Sequence, residues 1–371
     1  MRKSLSPFLL GIVCILLLGS AFAAGGDAGD PLISLSFLTK TFTASVDKSA
    51  DEALDRSDKT LFDDADAQWQ RILAAAEASV GTDYTAAFKE SRLKQDDILS
   101  GPTGLQVMLL AGSMKVEFSS GAVVDVTTGG ELANGMPLSA NHRYLVAEDT
   151  AALFSVTSKT AVADYCGSYS LIPSAKTDYN AMAEALKTLH LFRGSDTGYG
   201  QGFDLERIPT RTEALVMLIR LLGEEDAALA YTGTHPFRDV DDWAAPYVAY
   251  AYEKGYSNGV GNNEFGSTMP ANAQMYTEFI LRALGYSSTA QTDISDALTR
   301  AQSCGVITAG EHAAFGGGAF LRADVVYLSY YALGVPLSGT QQTLGDKLAQ
   351  CGVFTASELF RARHLVTSAR L

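Results

Sequence analysis

Hydrophobic and polar positions follow three different rhythms along this 371-residue chain, and each rhythm predicts a different kind of structure. From Asp51 to about Lys94 the sequence has no proline and is rich in Ala, Leu, Asp, Glu, Lys and Gln. Leu54, Leu61, Ala65, Trp69, Ile72 and Ala76 fall near helical spacing there, which predicts a helical segment over 49–97 with an amphipathic face. Gly81-Thr82-Asp83 divides it, leaving room for a second, shorter helix. Beyond Leu99 the rhythm shortens. Val123-Val124-Asp125-Val126 and Lys115-Val116-Glu117-Phe118 alternate, and Gly112-Ser113, Gly121, Gly129-Gly130 and Asn134-Gly135 supply turns. A small all-β domain, sandwich or barrel, is therefore expected over 98–173.

From about Thr177 helical stripes separated by glycine-rich loops take over, and they repeat. Thr210 to Gly223, Asn272 to Gly285 and Leu321 to Gly334 are equal in length and end in Leu-Gly. Met217, Phe279 and Leu328 occupy matching positions in the apolar stripe. Each final glycine suits the left-handed position that closes a helix. Upstream of each segment lies a glycine loop with an aromatic (Phe203, Phe265, Phe315), and before that another helix, roughly 181–191, 245–254 and 295–304. Repetition at this period means units that bury their apolar faces on one another.

The middle unit carries a resemblance. Phe237-Arg238-Asp239-Val240, Trp243-Ala244, Tyr247-Val248, Lys254-Gly255 and Asn258-Gly259, with Phe265 and Arg282-Ala283-Leu284-Gly285, resemble an S-layer homology (SLH) repeat. Thr210-Arg211-Thr212-Glu213 is similar to the Thr-Arg-Ala-Glu signature of such repeats. The likeness spans about 177–337, is clearest in the middle unit and weakest in the third. It implies an all-α pseudo-threefold domain with repeats at 175–230, 231–288 and 289–337, capped by helices over 338–371. It also implies non-covalent attachment to the cell wall, through grooves that hold an acidic polysaccharide, often pyruvylated, whose carboxylate meets the signature arginine. The whole chain then reads as a multidomain α+β protein of Gram-positive type: a helical N-terminal segment, a β domain and the repeats.

Residue by residue, the signature weakens. Thr210 and Glu213 are explained by a capping box, in which the Thr hydroxyl accepts the Glu213 N–H and the carboxylate reaches back. Arg211 is not explained that way; at the first helical position its guanidinium is expected to project outward, a fork of donors suited to a carboxylate. In the second unit Ala273 and Met275 replace the arginine and the acid, although Asn272 still caps. In the third Arg322 and Asp324 keep the charges, but Leu321 cannot cap. Trp243 offers a face to a sugar ring, yet a tryptophan opening an amphipathic helix is more often core, the preferred reading. The candidate ligand-binding set is thus Arg211 with Glu213, Arg322 with Asp324, and Trp243.

Composition adds the compartment. Arg2 and Lys3, an apolar run from Phe8 to Leu18, and Ala21-Phe22-Ala23 form a secretory signal-peptide pattern over 1–23, too short for a span of about 20 residues. A Gly/Ala/Asp-rich linker, 24–48, follows. The chain is expected to be secreted and held at the cell wall or cell surface, without a membrane span after cleavage. With 28 Lys+Arg against 42 Asp+Glu the formal charge is −14, and loss of Arg2 and Lys3 takes it to −16, so nucleic acid is an unsuitable partner. Cys166, Cys304 and Cys351 are too few for a disulfide framework; the last two, at matching helix ends, read as buried small apolar residues.

No catalytic pattern emerges: there is no Gly-x-Ser-x-Gly elbow, no His-Glu-x-x-His, and the five histidines are scattered. Asp239 reads as a cap or turn former rather than a metal ligand. The Arg193–Gly202 loop has too few acids for calcium, and Gly316-Gly317-Gly318 is no phosphate cradle. No cofactor, metal or enzymatic activity is expected. Two alternatives to wall binding stay open: degenerate repeats acting as a protein-interaction or self-association module, and a carbohydrate-active site in the β domain.

Overall fold

The computed structural model describes residues 37–79, 83–196, 201–288, 290 and 293–371. The expected signal peptide and the lead-in up to residue 36 lie outside the described residues. The chain divides into two compact units, Met1–Gly81 and Thr82–Leu371.

In the first unit a π-type turn, Phe37–Phe42, opens into α1, Thr43–Ser79. The helix begins inside the expected linker and runs unbroken because nothing in it is Gly or Pro. Val46, Leu54 and Leu61 are exposed on it. The side chains of Trp69, Ile72 and Ala76 lie outside the described set.

The shorter second helix is not formed. Asp83–Lys94 is instead β1, antiparallel to β9 (Thr160–Ile172), from Asp83 opposite Tyr169 to Lys94 opposite Thr160. The Ala-Ala and Lys-Glu pairs that made this stretch look helical lose to cross-strand pairing along a long partner. Lys89 Nζ donates to the Tyr169 hydroxyl at 3.1 Å and the Ser91 and Tyr165 hydroxyls meet at 2.9 Å. The β region therefore starts at 83 rather than 98.

The remaining strands are β2 (Ile98–Pro102), β3 (Gln106–Ala111), β4 (Met114–Glu117), β5 (Ala122–Asp125), β6 (Gly130–Leu132), β7 (Arg143–Ala147) and β8 (Ala151–Val156). They form one curled antiparallel sheet in the order β4-β8-β2-β9-β3-β7-β5-β6, with β1 also on β9. The curl follows from β9: its first part sits between β1 and β3, and Ser170–Ile172 pair with β2. Alternation is strict in β2, β4, β7 and β8 and holds over residues 106–110 of β3, and the inward positions (Leu99, Val107, Met114, Val146, Phe154) make a core of their own.

After the sheet the chain is helical: α2 (Tyr179–Thr188), α3 (Arg211–Leu221), α4 (Glu225–Leu229), α5 (Ala245–Glu253), α6 (Ala273–Ala283), α7 (Ala297–Ser303), α8 (Ala309–Phe315), α9 (Arg322–Ala332), α10 (Leu344–Gln350) and α11 (Ala356–Leu365). The second, sharper set of helices, α3, α6 and α9, packs each against the other two, and α2 packs on α9 and α11. One apolar core runs through them, with Leu186, Leu215, Leu281, Tyr327 and Leu359 among its members.

The capping expectations hold in detail. Thr210 Oγ1 accepts the Glu213 N–H at 3.2 Å while Glu213 accepts the Thr210 N–H at 2.7 Å, and Asn272 accepts the Met275 N–H at 2.9 Å. Gly223 and Gly285 take the left-handed conformation (φ 68° and 83°). At Gly223 a Cβ would also come within 2.8 Å of Val353, so two constraints select glycine. Gly334 does not adopt that conformation; there the chain runs on into Val335, which pairs back with Leu344. Cys304 and Cys351 do stand at helix ends, but they are exposed, a correction to the expected burial. The turn after each cysteine leads inward to Val306 and Phe354, which take the core positions instead.

Candidate functional site

The site is built where the three loop-to-helix joints meet. Thr210 and Pro270 form a bridge, the Arg211 N–H donates to Met269 O at 2.8 Å, and the Arg322 N–H donates to Arg207 O at 2.9 Å. Each helix start thereby faces the loop of another unit: Arg211 meets the loop before α6, Ala273 the loop before α9, and Arg322 the loop before α3.

Arg211 does not project outward. Its side chain turns along the joint and is only 4% exposed. The guanidinium lies 5.1 Å from the Phe265 ring and 5.0 Å from Phe279, and its Nη2 donates to Ser257 Oγ at 3.0 Å and, more loosely, to Gly259 O at 3.5 Å. The inward turn has a physical reason: two aromatic faces stack on the plane and attract the cation. Gly259, whose carbonyl faces Arg211, is held to glycine by a φ of 76° and because a Cβ there would stand 2.4 Å from Glu264 O and from the Phe237 ring.

What Arg211 lacks is an acid. Among the described residues its buried Nε donates to nothing. The Asp239 carboxylate accepts the N–H groups of Phe265, Gly266 and Ser267 at 2.7, 2.7 and 3.0 Å. Asp239 thus ties the two halves of the middle unit together, fixing a loop 26 residues downstream rather than capping its own helix. Glu278, also at the groove, is 2% exposed and is committed to Arg282 and Arg300, at 2.7 Å each. Burial, with Arg282 nearby adding like charge, pushes the Arg211 pKa down to about 10. Beside it opens a cavity of about 400 Å³ lined by Arg211, Asn258, Gly259, Glu278, Phe279 and Arg282. A buried cation with an unused donor, next to an open cavity, is equipped to take an anion.

Arg322 is also buried, at 6%, and its Nε, like that of Arg211, makes no hydrogen bond among the described residues, but an acid stands near it. Its Nη1 lies 3.7 Å from Met217 Sδ, its Nη2 donates to Phe203 O at 3.4 Å, and its plane stands 5.8 Å from the Phe192 ring. Asp204 stands 4.0 Å away. Arg92 of β1 and Lys187 of α2 lie over the Phe203 ring, 5.1 and 5.6 Å from its centroid. Asp324 accepts the Leu321 N–H at 2.8 Å and the Lys159 ammonium at 2.5 Å, and is fully buried. Glu213 takes Arg207 at 2.7 and 2.8 Å besides its capping bond. Both acids of the signature are therefore consumed inside the protein.

Trp243 is 56% exposed, so the preferred core reading does not hold. It precedes α5, and the buried face of that helix is taken by Tyr247, Val248 and Ala251. Sequence reasoning missed Ser257, Arg282 and Lys159. Arg282 stood within the quoted repeat motif, but Lys159, in the β8–β9 turn, carried no signal. Among the described residues, no cluster of His, Cys, Asp and Glu could hold a metal ion, and no helix is long and apolar enough to cross a membrane.

Comparison with known proteins gives the class. The S-layer homology domain family matches residues 236–266, the stretch that holds Asp239, Trp243, Ser257, Gly259 and Phe265. The chain carries an SLH domain. It is 30% identical over 141 residues to a protein named "Cell surface protein" from Thermoanaerobacter kivui, a match that takes in 36% of this chain and 18% of that relative. The chain thus covers less than a fifth of the relative's length.

Proposed function

We propose that this is a non-enzymatic cell-surface protein that attaches to the wall by taking a carboxylate of an acidic wall polysaccharide into the Arg211 groove. The three helical units act as a degenerate pseudo-threefold SLH trio, with α10 and α11 as its cap, and they display the β unit. One observation carries this reading: Arg211 is buried, has no ion pair among the described residues and borders an open cavity of about 400 Å³. The SLH match over 236–266 and the surface-protein relative support the location. The test is retention of the full chain on purified cell-wall sacculi, with their polysaccharide intact or stripped. Retention on intact sacculi alone, lost in Arg211→Ala, is the expected result. Equal retention of the variant removes Arg211 from the mechanism, and no retention of the wild type removes wall binding.

A further inference from the structure

The second groove, where the signature arginine is replaced by Ala273, is neither closed nor uncharged. It holds a cavity of about 450 Å³ lined by Ala273, Gln274, Phe315, Gly317, Asp324 and Lys159. Lys159 does not belong to the helical units at all. It comes from the turn between β8 and β9, and its ammonium stands 6.0 Å from the centroid of Phe315. Phe315 matches Phe265 in the repeat alignment, and Phe265 is the ring that carries Arg211 at 5.1 Å. A cation from the β unit therefore occupies the place over the ring that an arginine at 273 would have reached.

We propose that the β unit completes this groove: Lys159 stands in for the missing arginine and makes a second site for a carboxylate-bearing sugar, formed only when both units are in place. The proposal rests on the reading of the Arg211 groove given above. Its chemistry follows from the neighbours. Asp324 sits at the base, fully buried, with one oxygen on the Leu321 N–H and the other on Lys159. That bond fixes the ammonium but uses one of its three N–H donors. The Lys159 side chain is 32% exposed and lines the cavity, and among the described residues no second acid pairs with it. Met275, where the first unit has Glu213, adds no competing charge. On a chain of formal charge −14, an anchored ammonium over an aromatic ring is a place where an anionic sugar gains contacts that the rest of the surface denies it.

The competing account makes the Lys159–Asp324 bridge a latch between the units and nothing more. Retention of the full chain on intact sacculi, measured with thermal unfolding of each variant, separates the two. Lys159→Ala is expected to weaken apparent affinity about fivefold, the scale of one partly exposed charge-assisted contact. Adding Ala273→Arg to that variant is expected to restore it to within about twofold, because the arginine reaches the same ring from its own helix. A latch predicts a lower melting temperature with unchanged affinity, or an affinity loss that Ala273→Arg does not repair; either overturns the proposal. Retention that depends on Arg211 but not on Lys159 overturns this proposal alone. A wild-type chain that is not retained overturns the Arg211 reading and this one with it.

Discussion

Arg211 and Arg322 hold the same place at the start of equivalent helices, and both turn inward to within a few per cent of complete burial. Around Arg211 the partners are two aromatic rings, one hydroxyl and a distant carbonyl, with a cavity alongside. Around Arg322 they are Phe192, Phe203 O, Met217 and Asp204, and Arg92 of the β unit lies over the Phe203 ring. The same residue at the same helical position thus has an acid within 4.0 Å in one groove and none paired with it in the other, while the Nε of each stays without a hydrogen bond among the described residues. Motif likeness identifies where a cation is placed, and the neighbouring loop decides whether the cation still has anything to offer a ligand.

The largest expected effect separates the two arginines. Arg211→Ala should reduce wall retention about 10- to 100-fold, the worth of a buried charge-assisted pair, while pelleting assays on Arg322→Ala should show retention close to wild type. Equal losses would erase the contrast. Arg322→Ala should instead cost about 2 kcal/mol of stability, read by thermal or urea unfolding, because the gap it leaves between Phe192 and Met217 cannot refill.

Lys159→Ala should cost a similar amount near neutral pH, about 2 kcal/mol, by stranding the buried Asp324 carboxylate. Burial pushes the Asp324 pKa up and Lys159 pulls it back. Without the lysine the folded-state pKa rises further above the unfolded value. The penalty is therefore fully present above that raised value and fades as pH falls and Asp324 protonates in both proteins. Unfolding curves of wild type and variant should converge toward pH 4; a gap independent of pH would deny the ion pair its role.

Alkaline titration sharpens the first groove. With the Arg211 pKa pushed down to about 10, retention should hold to about pH 9 and fall near pH 10. Its folded pKa lies below the unfolded one, so losing the proton relieves burial: the Arg211 contribution to stability rises through that window, and the lost retention is not unfolding driven by this residue. Circular dichroism at the same pH checks this. Trp243→Ala should change stability by under about 0.5 kcal/mol, as an exposed residue does, and any loss of retention in that variant would bring the tryptophan into the ligand site.

Much of this was legible in the sequence because it is local. Thr210 with Glu213, Asn272 and the glycines at 223 and 285 act within one turn, and their expected caps and turns are what the structure contains. The missed parts depend on distant chain. The 83–94 segment has helical composition, and becomes a strand only because β9, some seventy residues later, offers a long partner. Arg211 turns inward because Phe265 and Phe279 belong to the next unit. Lys159 reaches a groove whose ring and acid are encoded more than 150 residues downstream, with nothing in its own neighbourhood to mark it.

The pairing of β1 with β9 carries one more consequence. Asp83, where the chain arrives from α1, lies beside Tyr169, and β9 leaves the sheet at the same end on its way to the helical units. If the helical units are held fast and the N-terminal end is pulled, load enters both strands at one end of an antiparallel pair. Their hydrogen bonds then open in succession, like a zip, instead of resisting together in shear. The opening begins at Asp83 and within three residues meets the irregular stretch between Thr85 and Lys89, where the ladder is already interrupted. The sheet would yield from that end first and lengthen the tether by the span of β1, limiting the force passed on to the helical units while the strand peels away.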